Sequence, residues 1–127
     1  MIKKTLFILI ISFILFSCEE SHNTTVTSKQ FERNIKNQDV QLIDVRTPEE
    51  YNAGHIEGAE NINIHDSDFE QQLNKLDKNE TVYIYCKSGS RSSSAIDTMI
   101  EMGFKDITEL NGGITAWRVA GKPVVAP

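Results

Sequence analysis

The sequence lacks the features that mark several large classes of binding and membrane proteins. Its 127 residues carry a formal net charge of −5, which argues against a nucleic-acid-binding surface. Its apolar run from Thr5 to Phe16 has about a dozen residues, whereas a membrane-spanning helix needs roughly 18 or more. It has two cysteines and three histidines, and none is spaced as metal ligands are. We therefore expect one domain without internal repeats, metal ion or cofactor.

The first residues of the chain have the pattern of a secretory signal peptide. Lys3 and Lys4 precede the apolar run, and polarity rises abruptly at Glu19. Charged, apolar and small-residue regions in this order are typical of a signal that is removed on export. We therefore predict a signal peptide over residues 1–17, with a retained membrane anchor as the alternative.

Cys18 makes this prediction more specific. The stretch Leu15–Cys18 resembles a bacterial lipobox, in which the cysteine is lipidated, although Phe16 departs from the smaller residue usual there. We expect an exported lipoprotein anchored in a membrane through Cys18 and facing the periplasm or the cell surface. Residues 18–25 are polar and are predicted to be the lipid-anchored linker to a domain over residues 26–127.

Lipidation of Cys18 would leave Cys86 as an unpaired thiol in an oxidising compartment. An odd free cysteine is unusual there for a purely structural residue and suggests reactivity. The alternative is a Cys18–Cys86 disulfide, which would tie the linker to the domain and block the loop that follows Cys86.

The surroundings of Cys86 favour a reactive thiol. The apolar run Val82–Tyr85 is typical of a buried strand, and a helical pattern begins at Arg91 after a short polar turn. Ligands of open α/β sheets bind at the carboxyl ends of strands, where loop amides and a helix N-terminus attract anions. A cysteine in such a place loses its proton easily. We interpret Cys86 as a nucleophile in an anion-binding loop, with an inert buried cysteine as the alternative.

Strands and helices alternate along the rest of the chain. This order predicts an α/β fold with a central parallel β-sheet flanked by helices on both faces. The predicted strands are Val26–Thr27, Gln41–Arg46, Ile62–Ile64, Val82–Tyr85 and Ile107–Leu110. The predicted helices begin near Ser28 as N-cap, Thr47 as N-cap, Asp66, Arg91 and Ile114.

Four segments of the chain together resemble a single-domain rhodanese of the thiosulfate sulfurtransferase type. They occur in the family's order and are Leu42–Arg46, Gly54–Ala59, Tyr85–Ser92 and Leu110–Trp117. The resemblance implies a sulfurtransferase in which Cys86 takes a sulfane sulfur from a small anion such as thiosulfate. The Cys86 persulfide would pass this sulfur to a thiol or cyanide acceptor. We expect a monomer that needs no nucleic acid.

The loop after Cys86 supplies the predicted substrate-binding residues. Its amides could hold the terminal sulfur of a persulfide, and its cations could attract an anionic donor. The predicted binding set is Lys87, Ser88, Gly89, Ser90, Arg91 and Ser92. Arg91 could orient either the donor or the loop, while Lys87 is equally well explained as a solvated surface residue.

Two charged residues at a neighbouring strand end are predicted to support the site. Asp44 and Arg46 should lie at the same sheet edge as Cys86, where we favour either an ion pair or braces that shape the loop over a direct catalytic role. His55 could be a general base, but we favour a structural role, and His22 is interpreted as a solvated residue of the linker.

Two other functions compete with sulfur transfer. Dual-specificity phosphatases use a related loop with five residues between cysteine and arginine, whereas four separate Cys86 from Arg91 here. The shorter loop favours one sulfur atom over a tetrahedral phosphate. The other alternative is a binding module or persulfide carrier that works with a partner protein.

Overall fold

The computed structural model describes Ile14 and residues 20–36 and 39–127. The remainder of the predicted signal peptide, Cys18 with its predicted lipid, and residues 37–38 lie outside the described residues. Within the described part of the chain, we find no helix whose length and apolar character would allow it to span a membrane.

The described chain forms five strands and five helices in strict alternation. The strands are β1 (His22–Val26), β2 (Gln41–Asp44), β3 (Glu60–Asn61), β4 (Val82–Tyr85) and β5 (Asp106–Leu110). The helices are α1 (Ser28–Ile35), α2 (Pro48–Ala53), α3 (Phe69–Leu73), α4 (Ser90–Glu101) and α5 (Gly113–Val119). The strands form one sheet of order β1-β5-β4-β2-β3, in which every neighbouring pair is parallel. The predicted α/β fold is confirmed.

Two hydrophobic layers cover the two faces of this sheet. One layer contains Ile43 and Ile84 and includes residues of α3 and α4 such as Leu73 and Met99. The other contains Leu42 and Tyr85, together with residues of α1 and α5. Because neighbouring residues of a strand point to opposite faces, the runs Leu42–Ile43 and Ile84–Tyr85 feed both layers at once. This explains why the strands read as continuous apolar runs.

The first strand corrects the predicted linker. β1 begins at His22 and pairs with β5 from His22–Asp106 to Val26–Leu110, so residues 22–25 belong to the sheet. The sequence of β1 lacks the apolar pattern of a strand because β1 lies at the sheet edge. Its threonine and asparagine side chains remain largely exposed to solvent there. The His22 ring is exposed as expected, but it approaches Asp106 at 3.3 Å and is not part of a free tail.

The ends of several other elements differ from prediction, and β2 ends at Asp44 rather than at the predicted Arg46. α1 is capped by Thr27, because Thr27 and Gln30 form a reciprocal capping box that Ser28 cannot make. α3 is shorter than the predicted helix from Asp66 to Leu76. β3 precedes the predicted strand Ile62–Ile64, although the Ile62 and Ile64 amides still bond Asp44 and Val45 carbonyls.

Candidate active site

Cys86 directly follows β4 at the carboxyl edge of the sheet. Cys86 is 1% exposed, so its side chain is almost completely buried. The preceding carbonyl, that of Tyr85, accepts a hydrogen bond from the Val45 amide at 3.1 Å, which joins the ends of β2 and β4. The predicted position of Cys86 at the end of a strand is therefore confirmed.

The loop from Cys86 to α4 turns back over the sulfur. The Gly89 amide donates to Cys86 Sγ at 3.1 Å. Gly89 caps α4 with a φ of +117°, a backbone conformation that residues other than glycine rarely adopt. A glycine at this position therefore lets the loop aim an N–H group at the thiol. This is the amide arrangement expected from the sequence.

The hydrogen bonds around the thiol favour its ionised form. Burial by itself raises the pKa of Cys86, but the Ser92 hydroxyl, when it donates to the sulfur, and the backbone amides of Ser92, Gly89 and Ser88 act in the opposite direction. The hydrogen bonds outweigh burial, so the pKa of Cys86 is lowered from its ordinary value. A lowered pKa increases the thiolate fraction, and the thiolate is the nucleophile.

The start of α5 holds the start of the Cys86 loop from the other side. The Ile114 amide donates to the Cys86 carbonyl at 2.9 Å, and the Thr115 amide donates to the Lys87 carbonyl at 3.0 Å. Gly113 makes this approach possible, because a Cβ there would lie 2.5 Å from the carbonyl oxygens of both Cys86 and Lys87. These contacts fix the direction in which β4 ends.

Arg91 pairs with a residue that the sequence patterns did not identify as part of the site. Its guanidinium makes two bonds to the Glu50 carboxylate, at 2.6 and 2.9 Å. The Arg91 bond is the largest cause lowering the pKa of Glu50 to about 2, and Thr47 also donates to this carboxylate. The sequence placed Glu50 only in the first turn of a capped helix. Of the two predicted roles of Arg91, the geometry matches orientation of the loop.

A second acidic residue of the site was also missed. Glu109 of β5 is 8% exposed, and its Oε1 accepts the Ser92 hydroxyl at 2.6 Å. Ser92 is fully buried and its Oγ lies 3.4 Å from Cys86 Sγ. The sequence signal was a glutamate in an otherwise apolar or β-branched strand, Ile107–Leu110. Only the pairing of β4 with β5 places it beside the thiol.

Asp44 and Arg46 form a buried ion pair, one of the supporting roles that the sequence favours. Arg46 Nη2 lies 2.6 Å from Asp44 Oδ2 and also donates to the Gly54 carbonyl at 2.8 Å. Burial lowers the pKa of Arg46, but the bonds and charge of Asp44 outweigh it and raise that pKa. The pair therefore ties the end of β2 to the turn after α2. Neither residue hydrogen-bonds to Cys86 Sγ, whose partners are Ser92 and Gly89.

The other predicted binding residues line the open side of the loop. Lys87, Ser88 and Ser90 are exposed and reach solvent at the mouth of the site. His55 lies away from the sulfur: its ring stacks on Tyr51 at 3.7 Å, and its Nδ1 lies 2.9 Å from the Tyr51 carbonyl oxygen. These contacts agree with a structural role for His55.

One cavity in the described part of the chain is not formed by the Cys86 loop. A cavity of about 540 Å³ is lined by Leu42, Ile56 and Trp117 among others, and it includes no residue of the loop after Cys86. Among the residues that the structure describes, we find no group of histidine, cysteine, aspartate and glutamate side chains able to hold a metal ion. The arrangement around Cys86 can instead generate a thiolate and bind a small anion with amides.

Comparisons with known proteins identify the family. The family described as "Rhodanese-like domain" matches residues 27–120. A sulfurtransferase from Allochromatium vinosum is 38% identical over 71% of this chain and 82% of its own length. The thiosulfate sulfurtransferase GlpE from Pseudoalteromonas translucida is 35% identical over 68% of this chain and 80% of its own length.

Solved structures agree with this assignment. A rhodanese-related protein from Thermoplasma volcanium matches with a TM-score of 0.72 and 29% identity. The match covers 82% of this chain and 99% of the other. Its strength reflects the fold described above, a five-stranded parallel sheet with helices on both faces. The chain therefore belongs to the rhodanese-like domain family.

Proposed function

We propose that the protein transfers a sulfane sulfur through a persulfide on Cys86. In the first step the Cys86 thiolate attacks the outer sulfur of thiosulfate. A Cys86 S–S bond forms, the S–S bond of thiosulfate breaks, and sulfite leaves with the electron pair of that bond. The observation that carries the proposal is the buried Cys86 Sγ, which accepts the Gly89 amide at 3.1 Å and has a lowered pKa.

In the second step a thiophilic acceptor removes the sulfur. Cyanide, or the thiolate of an acceptor molecule, attacks the terminal sulfur of the persulfide. The Cys86 S–S bond breaks and Cys86 leaves as a thiolate, which the same loop amides stabilise. Because both steps develop or discharge negative charge at one place, amides held by the fold suit the reaction better than mobile side chains.

The loop length supports sulfur transfer over phosphate-ester hydrolysis. Four residues separate Cys86 from Arg91, so the amide ring is small. In addition, Arg91 donates two hydrogen bonds to Glu50, which occupy two of the N–H groups that would otherwise bind a phosphate dianion. A dianionic ester would have to displace this pair.

The same ion pair favours a second candidate function, that of a persulfide carrier. With Arg91 bonded to Glu50, Lys87 is the loop cation that remains exposed to attract a free anion such as thiosulfate. A partner protein that presents a persulfide directly would not depend on that attraction. Slow turnover with thiosulfate together with complete loading by a protein or low-molecular-weight persulfide would favour the carrier.

Thiosulfate-to-cyanide sulfur transfer tests the proposal. We expect the purified protein to form thiocyanate and, after thiosulfate alone, to gain the mass of one sulfur atom. Cys86→Ser should do neither. Ser94→Ala is the matched control, because Ser94 is an exposed residue of the same helix, and this variant should behave as wild type. An unchanged mass with every sulfur donor, including persulfides, would contradict the proposal.

We also propose that the protein is exported and held at a membrane by lipid on Cys18. The proposal rests on the charged and apolar pattern of residues 1–17 and on the lipobox-like Leu15–Cys18. The sheet begins at His22, so only a few residues would separate the lipid from the domain. Intact mass of the membrane-extracted protein tests this, and an unmodified Cys18 would contradict it.

A further inference from the structure

Glu109 is a buried carboxylate that lies two hydrogen bonds from the nucleophile. Glu109 accepts hydrogen bonds from Ser92 at 2.6 Å, from Ser93 at 3.4 Å and from Thr25 at 3.5 Å. In the described part of the chain these three hydroxyls are its side-chain partners, and no lysine or arginine pairs with it. Such a residue is costly to bury, so its position beside the Cys86 loop calls for an explanation.

The Ser92 hydroxyl has one proton and three acceptors within reach. Glu109 Oε1 is 2.6 Å from Ser92 Oγ, the Gly89 carbonyl oxygen is 3.1 Å away, and Cys86 Sγ is 3.4 Å away. A hydroxyl donates one hydrogen bond at a time, and bonds to an ionised carboxylate are shorter and stronger than neutral ones. The short distance and the carboxylate charge both indicate that the Ser92 hydroxyl donates its proton in a hydrogen bond to Glu109.

With its proton held by Glu109, Ser92 presents only lone pairs to Cys86. The thiol can then donate its own proton to Ser92 Oγ, which suits the protonated form of Cys86 rather than the thiolate. To stabilise a thiolate, the Ser92 O–H must turn from Glu109 toward Sγ while the thiol proton leaves to solvent. The backbone amide of Gly89 supports the thiolate in either arrangement.

We propose that Glu109 is a positioning residue that holds the Ser92 proton in the resting protein and so withholds from Cys86 the hydrogen bond by which Ser92 would stabilise the thiolate. The proposal rests on Cys86 being the nucleophile of the proposed function. Its consequence is a thiol that is less open to oxidation between turnovers, because thiolate character governs oxidation. The protein reaches its reactive form when the Ser92 hydroxyl changes partners.

The other charges near the thiol remain the same in the variants that test this idea. The charge of Arg91, at the start of α4, interacts with Cys86. It also interacts with the charges of Glu50 in α2 and Asp44 at the end of β2. Lys87 is exposed at the mouth. The groups facing Glu109 from α4 and β1 are hydroxyls. A change seen on removing the Glu109 charge is therefore attributed to the Ser92 and Cys86 contacts.

The pH dependence of Cys86 alkylation by iodoacetamide tests the proposal without any sulfur donor. Glu109→Gln keeps the shape but offers a neutral acceptor, so Ser92 is free to donate to the thiolate. We expect alkylation at pH 6 to become about fivefold faster, the change expected for one added hydrogen bond of ordinary strength. At pH values where wild-type Cys86 is fully ionised, the two rates should converge. An unchanged or slower rate at pH 6 would overturn the proposal.

Ser92→Ala separates action through Ser92 from a direct effect of charge. In this background Glu109→Gln should accelerate alkylation by less than about twofold, because the hydroxyl that transmits the effect is absent. Equal acceleration in both backgrounds would overturn the role of Ser92. Glu101→Gln, which removes an exposed carboxylate at the far end of α4, is the control for net charge and should leave the rate unchanged.

Ser92→Ala alone keeps the proposal testable if Glu109→Gln does not fold. If Glu109 holds the Ser92 proton, loss of the hydroxyl removes little from the resting thiol, and the alkylation rate at pH 6 should stay within about twofold of wild type. A several-fold slower rate would mean that Ser92 already donates to the thiolate, which would overturn the proposal. Because these rates need no sulfur donor, they are independent of whether the protein transfers sulfur from thiosulfate.

Discussion

The contact of Gly113 with the start of the Cys86 loop leads to a quantitative prediction. Gly113 has a φ of +59°, and a Cβ at this position would lie 2.5 Å from two carbonyl oxygens, those of Cys86 and Lys87. Both atoms belong to backbone that β4 and α5 hold in place, so neither can rotate away. Gly113→Ala therefore combines an unfavourable backbone conformation with a steric clash.

The two effects can be given magnitudes. A left-handed conformation costs a residue with a Cβ about 1–2 kcal/mol. Overpacking of a well-packed region costs about 1–3 kcal/mol more. We therefore expect Gly113→Ala to lower the free energy of unfolding by about 2–5 kcal/mol, measured by urea denaturation. Because the clash displaces the Cys86–Lys87 peptide, sulfur transfer should fall by about 10- to 100-fold in kcat.

Gly121→Ala is the matched control. Gly121 has a φ of +72°, close to that of Gly113, but a Cβ there meets no atom within 4 Å. This variant should lose only the backbone part, about 1–2 kcal/mol, and should keep wild-type kcat. Equal loss of stability in the two variants would refute the reasoning, because it would mean that the loop yields to the added methyl group.

Three further predictions concern charged residues around the site. Glu50→Gln removes the partner of Arg91 and should cost about 1–2 kcal/mol at pH 7 after allowance for solvent screening. Because the folded pKa of Glu50 is lowered to about 2 from 4.5, this difference should be fully present above pH 5 and vanish as the pH falls to about 2 in urea titrations. Asp44→Asn leaves buried Arg46 without its counter-ion and should cost about 3–5 kcal/mol in the same assay. Lys87→Ala removes an exposed cation, so it should change stability by less than about 0.5 kcal/mol while raising the KM for thiosulfate.

Each of these predictions has an outcome that contradicts it. A pH-independent difference between Glu50→Gln and wild type would show that Glu50 acts through packing and not through its charge. Wild-type stability in Asp44→Asn would mean that the existing bond from Arg46 to the Gly54 carbonyl is enough to hold the buried guanidinium without a counter-ion. An unchanged KM for Lys87→Ala would favour donors delivered by a partner protein.

Local patterns in the sequence predicted most of the fold because its elements are locally determined. The apolar run Val82–Tyr85 is a strand in the structure, and Thr47 with Pro48 begins a helix as expected. In both cases the signal lies within a few neighbouring residues. The sequence predicted only Val26–Thr27 of the first strand, and residues 22–25 of β1 escaped prediction. An edge strand of threonine and asparagine owes its conformation to hydrogen bonds with β5 rather than to its own composition.

The sequence by itself determined the position of Cys86 at a strand end, the amide-rich loop after it and the parallel sheet beneath it. Only the tertiary structure decided that Arg91 bonds Glu50, 41 residues away, and that Glu109 lies beside Ser92, 17 residues away. The physical reason is that a strand or helix is specified by the periodicity of adjacent side chains. A contact between elements depends on strand order and register, which the packing of the whole chain sets.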